Sequence, residues 1–145
     1  MFSTCSSETK SSINKPLSAA QFAKIEDDKI EKFAGALKKL IRLTDNIMSI
    51  HTTTFTSSQM MIFGLEMTKV YVRQMISPFL IRNTDNIISK TNVDIIFADF
   101  KTEDIAGDDL VFIDTLFSKW DELNNKQQEI VWESMNILLV NCHRS

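Results

Sequence analysis

The residues Ile30, Phe33, Leu37, Leu40, Thr44 and Ile47 recur at alternating steps of three and four. An α-helix turns once in about 3.6 residues, so this spacing lines them along one seam, the a/d pattern of helices that pack side by side. A strand would scatter the same residues over both faces. Lys32, Lys38, Lys39 and Arg42 fall at the positions between and suit the opposite face. The stretch predicts a long amphipathic helix running on from Phe22, with Ser18 as its start and Gln21 at the capping-box position. Gly35 weakens such a helix by about 1 kcal/mol relative to alanine, or marks a place where another helix comes close.

A seam needs partners, and the composition favours further helices. Three Gly and two Pro in 145 residues leave little material for tight β-turns or glycine-lined loops, and 43% apolar residues suffice for one core. HTTTFTSS, 51–58, stops the period because Thr and Ser compete for local backbone hydrogen bonds, and a second helix is expected from Ser57 or Ser58. There Met60, Phe63, Met67 and Val70 continue at helical spacing, while Leu65, Tyr71, Val72, Met75 and Ile76 broaden the apolar surface. Such coverage suits a central helix, or one that buries one face internally and the other against another protein. Ser77-Pro78 marks an end or a kink, since the residue before proline is pushed out of the helical region.

Beyond Pro78 the apolar clusters shorten. Thr84 is a candidate cap, and Thr91 or Asn92 can start a short helix carrying Val93, Ile96, Phe97 and Phe100; a local β-hairpin competes, because Ile, Val and Phe also favour strands. KTEDIAGDD, 101–109, reads as a loop, followed by a stripe of Leu110, Ile113, Leu116 or Phe117, Trp120 and Leu123. Asn125, with Gln128 at the box position, then caps a last helix whose Ile130 or Val131, Met135, Leu138 and Leu139 face inward. Trp120 lies on its stripe and is expected in the core; Trp132 lies beside its own, at the core edge or in a partner contact. The expected fold is all-α: a compact multi-helix bundle with a long N-terminal amphipathic helix and a C-terminal helical hairpin. It occupies one domain, 17–142, behind a flexible arm, 1–16, that holds five Ser, two Thr, three charges and Pro16.

Motifs for chemistry are sparse. Nine acids between Asp94 and Glu122 invite a divalent cation, yet an EF-hand loop set on Gly107 as its sixth residue puts Ile113 at the twelfth, where a bidentate carboxylate is required. His51 and His143 are the only imidazoles, and Cys142-His143 are adjacent donors whose directions diverge, so no metal ligand set is assigned. No GxxxxGK[ST], GxGxxG or nucleophile elbow occurs, and no catalytic residue or cofactor site is assigned. Residues 91–145 hold four Lys/Arg against eleven Asp/Glu, about -7, and the remainder twelve against eight, about +4. That acidic third disfavours a broad phosphate-binding face, and the basic cluster Lys38, Lys39 and Arg42 is short, so nucleic acid is not the expected partner. Cys5 and Cys142 form no disulfide framework, which with the lack of a signal-like start or an apolar run of membrane-spanning length favours an intracellular setting.

The ending Phe117-x-x-Trp120-x-x-Leu123 followed by Lys126-x-x-x-Ile130-x-Trp132 resembles the short helical tails of small proteins encoded by large cytoplasmic DNA viruses. The resemblance covers only the C-terminal part of the chain and carries no catalytic residue. It implies a virion or assembly protein, in the cytoplasm or the particle. The residues point to a noncatalytic structural or assembly protein, with a protein partner or a homo-oligomer, held through Phe33, Leu37, Leu40, Met60, Phe63, Met67 and Trp132. The alternative is a regulatory bundle that captures a partner helix in an apolar groove.

Overall fold

The computed structural model describes residues 18–48, 58–102 and 110–144. Six α-helices lie within them: α1 (Ala19–Met48), α2 (Ser58–Arg82), α3 (Thr84–Ser89), α4 (Val93–Thr102), α5 (Val111–Ser118) and α6 (Asn125–Val140), with a 3-10 turn at Trp120–Glu122. No strand occurs among the described residues, so the local hairpin reading around Ile96 gives way to helix. The arm 1–16, the connection 51–57 and the acidic loop 103–109, with Cys5, His51 and Gly107, lie outside the described residues.

Helix α1 starts as its sequence dictates. The Ser18 amide donates to Gln21 Oε1 at 2.9 Å and the Gln21 amide donates to Ser18 Oγ at 3.2 Å, a reciprocal capping box. Its seam is buried: Phe33, Leu37, Leu40 and Thr44 are sealed off, and the Thr44 hydroxyl donates back to the Leu40 carbonyl at 2.8 Å. Helices α2, α5 and α6 all pack on α1, which is therefore the hub of the bundle. The wide apolar coverage of α2 suggested the opposite arrangement. Only part of that coverage turns inward, through Leu65, Val72, Ile76, Phe79 and Leu80.

Pro78 does not end α2. The helix runs on to Arg82, and the Ser77 hydroxyl donates to the Arg73 carbonyl within the same turn. Phe79, buried just beyond the proline, meets Phe100 of α4 edge-on at 5.4 Å between centroids, and Phe100 meets Phe117 of α5 at 6.1 Å. This aromatic run draws the residues after Pro78 into the core, so burial offsets the lost proline hydrogen bond. At the α2 terminus, Asp99 of α4 accepts from Arg82 through Nε and Nη2, each at 3.2 Å, and from Asn83 Nδ2 at 2.6 Å. Burial alone would raise the Asp99 pKa, but the hydrogen bonds from Arg82 and Asn83 hold it below the ordinary aspartate value.

Helix α6 begins one residue before the expected cap. Asn124, extended at ψ 171°, accepts from the Gln127 amide, and Gln127 accepts in return from the Asn124 amide. The run NNKQQ offers the Asn-x-x-Gln spacing in two adjacent phases, and the structure uses the earlier one. Of the tryptophans, Trp120 is less buried than its stripe predicts, and Trp132 takes the core position of its two alternatives. Trp120 falls in the 3-10 turn, off the helical stripe, and is only partly buried, whereas Trp132 is 8% exposed. They meet edge-on at 5.5 Å, which links the end of α5 to α6, although each of these helices packs chiefly on α1 or α4 and α1 or α3.

One ionic side chain crosses the core. Arg73 is 2% exposed; its Nε donates to the Asn141 carbonyl at 2.8 Å, Nη2 to the Cys142 carbonyl at 3.2 Å and Nη1 to Glu26 at 3.0 Å. The next residue, His143, donates its amide to Ser77 Oγ at 2.8 Å. The guanidinium thus fastens the segment after α6 to α2 and α1 together. Its hydrogen bond to Glu26 holds that carboxyl below the ordinary glutamate value, against the opposing effect of burial.

Three predictions follow from this packing. Arg73→Met leaves two buried carbonyls without their donor and should cost about 2–4 kcal/mol in chemical denaturation; Glu26→Gln, at a third-exposed site screened by solvent, should cost less than about 1 kcal/mol. Because the Glu26 and Asp99 pKa values are lowered in the fold, their contribution is complete above the ordinary values of 4.5 and 3.8 and is lost as pH falls below them. Thermal melts should be flat above about pH 5 and drop below about pH 4, less steeply in Arg73→Met. At Gly35, which is exposed, an added Cβ would meet nothing within 4 Å, so no helix comes close there. Gly35→Ala should therefore stabilise the fold by about 1 kcal/mol, read as a rise in Tm of a few degrees.

Candidate protein-binding surface

Helix α2 carries four charged side chains, Glu66, Lys69, Arg73 and Arg82, and all four engage groups within the chain. Lys38 of α1 pairs with Glu66, Lys69 pairs with Glu31 of α1 and with Glu66, and Arg73 pairs with Glu26 of α1. Read antiparallel, the acid-acid-base order of Glu26, Glu31 and Lys38 meets the base-base-acid order of Arg73, Lys69 and Glu66. Hydrogen bonds from Lys38 and then Lys69 keep the Glu66 carboxyl below its ordinary range, and those to Glu31 and Glu66 keep the Lys69 ammonium above its own. Glu66, Lys69 and Arg73 thus line the edge that meets α1, while Arg82 turns to Asp99 of α4.

The opposite side of α2 is apolar and open. Phe63 is 71% exposed, Met67 75%, Tyr71 61% and Val70 50%, and Met60 is likewise exposed. At steps of three and four they share one helix face, with Gly64 among them and the exposed amides of Gln59 and Gln74 at its ends. A Cβ on Gly64 would meet nothing within 4 Å. Single exposed apolar residues are ordinary on a soluble protein, whereas a contiguous stripe several turns long is the kind of patch found at protein, membrane or ligand contacts, which makes this face the candidate surface. Toward the C-terminal end of α2 the stripe leads to a depression of about 440 Å³ lined by Gln74, Pro78, Ile81, Arg82 and His143.

The seven residues singled out in the sequence divide cleanly. Phe33, Leu37 and Leu40 are spent on the chain's own core and Trp132 is buried against Trp120; none of the four is open to a partner. Met60, Phe63 and Met67 lie together on the outward face of α2. Val70 continues the helical spacing of these residues and Tyr71 belongs to the apolar breadth of the helix, but neither is among the seven, and nor is Arg73. The complementary charge order on the two helices was the available signal, because it fixes which edge of α2 meets α1. Elsewhere the basic cluster is split: Lys38 turns to Glu66, while Lys32, Lys39 and Arg42 stay exposed or partly so on α1.

Among the described residues no group of three or more His, Cys, Asp or Glu side chains could hold a metal ion, and no helix is long and apolar enough to cross a membrane. Compared with protein-family models, curated proteins and solved structures, the chain shows no match in any of the three.

Substitutions on the two sides of the α1 and α2 pair should behave differently. Phe63→Asp and Met67→Asp place a charge where water already is and should shift stability by no more than about 0.5 kcal/mol in dilute solution. Leu37→Ala opens a cavity in the buried seam and should cost about 2–5 kcal/mol. Urea denaturation followed by circular dichroism separates the two classes.

Proposed function

We propose that this chain is a noncatalytic structural or assembly protein that works through helix-mediated protein contacts, with the outward face of α2 as its contact surface. The observation that supports the reading is the uncharged stripe itself: four apolar side chains, each at least half exposed, on one helix face with no charged residue among them. Covering such a face removes apolar area from water at about 25 cal/mol per Å², without stripping hydration from any ion. The stripe lies on a helix held by the Lys38 and Glu66 pair in its first half and, in its second half, by Arg73 with its carbonyl partners and by the Arg82, Asn83 and Asp99 cluster. A rigid face of this kind loses little conformational entropy on binding. The viral resemblance of the C-terminal stretch makes a layer of a particle the setting in which such contacts would operate.

The second reading, a bundle that captures a partner helix in a groove, draws on the depression at the end of the stripe, which could receive one side chain of a docked helix. Both readings use the same face, and one experiment tests that face. A photo-crosslinking amino acid is placed at position 63 or 67 in the full chain within producing cells, with positions 39 and 133, on other exposed faces, as controls. Protein adducts are expected from 63 and 67 and not from the controls. Absence of adducts from α2, or adducts from every position alike, would falsify the assignment.

A further inference from the structure

We propose that the occupant of this face is a second copy of the chain, with the two α2 helices antiparallel across a two-fold axis near Met67. The inference rests on α2 being the contact surface and adds the identity of the partner. A two-fold axis brings each residue against its mirror position in the stripe, so any charge near the axis would face its own sign. None of the stripe residues from Met60 to Gln74 is charged; Glu66, which flanks Phe63 and Val70, is turned to Lys38 and Lys69, and Lys69 and Arg73 lie on the edge that meets α1. A different protein would ordinarily be selected by complementary charges around the apolar centre. Here the nearest charges are already consumed by ion pairs within the chain.

Shape and area fit the same arrangement. With the axis at Met67, Phe63 of one copy lies opposite Tyr71 of the other, and Gly64 opposite Val70. Gly64 presents no side chain, and its open space leaves a notch beside the Phe63 ring into which bulk from the facing helix can settle. The exposed parts of Phe63, Met67, Val70 and Tyr71 amount to roughly 500 Å² per chain, hence about 1,000 Å² across two, at the lower bound for a specific interface. Gln59 and Gln74, which can each donate and accept, form an uncharged polar rim. An interface of this size gives a reversible dimer whose population rises with concentration.

Sedimentation velocity on the full purified chain tests this over a wide concentration range. The expected result is a mass that doubles as concentration rises, and a Met67→Glu variant that stays monomeric with an unchanged circular dichroism spectrum. The register is tested with Phe63→Lys and Tyr71→Glu. Each alone should be largely monomeric, whereas an equimolar mixture should regain the dimer, because the new ammonium and carboxylate face each other while the native Phe63 and Tyr71 pair remains on the other side. A monomeric parent at every concentration overturns self-pairing; photo-adducts from positions 63 and 67 of a mass other than twice the chain would then leave the α2 surface standing with another occupant. A dimer that survives Met67→Glu places the contact elsewhere, and a mixture that stays monomeric overturns the antiparallel register.

Discussion

The ladder of ion pairs between α1 and α2 decides what the rest of the molecule can present. Each rung is a modest contribution, since exposed ion pairs are worth about 0–1 kcal/mol, but together the rungs set the rotation of α2 about its own axis. Rotating α2 by half a turn would bury Phe63 and Met67 but expose Leu65, Val72 and Ile76 in their place. It would also carry Arg73 away from the carbonyls of Asn141 and Cys142 and from Glu26. Orientation here is settled by polar groups that must be satisfied, and the apolar face left over becomes the surface.

Most of the fold was legible because its signals are local. The capping box at Ser18, the seam from Phe33 to Thr44 and the stripe from Leu110 to Leu123 each reside in one segment and need no knowledge of the others. The differences arise from relations between segments and from local changes of backbone. Pro78 reads as a terminus until Phe79 is known to be held by Phe100. Trp120 reads as core until the backbone tightens into a 3-10 turn beneath it. The candidate surface was half legible: Met60, Phe63 and Met67 were selected for their spacing, but so were Phe33, Leu37 and Leu40, because periodicity marks an apolar face without saying what covers it.

The buried arginine shows how a small bundle tolerates a charge in its interior. Two segments supply its three acceptors: α1 through Glu26, and the end of α6 through two backbone carbonyls, where a helix leaves its last carbonyls without internal donors. The guanidinium therefore meets a need that the helix end creates, and its planar fork reaches both carbonyls at once. Phe79, Phe100 and Phe117 close the opposite part of the core with ring contacts that require no such accounting of polar groups.

The carbonyl partners of Arg73 lie 68 and 69 residues further along the chain. During synthesis the pair of α1 and α2 emerges long before α6, and until then the guanidinium has only Glu26 and water to satisfy it. The early hairpin can therefore form, but it cannot become dry, and its inward residues Val72 and Ile76 remain as open as Phe63 and Met67 on the other side. For that interval α2 is apolar on two faces, which opens the unfinished fold to non-native association. The inner face closes only as the later helices pack on it and the segment after α6 reaches the guanidinium.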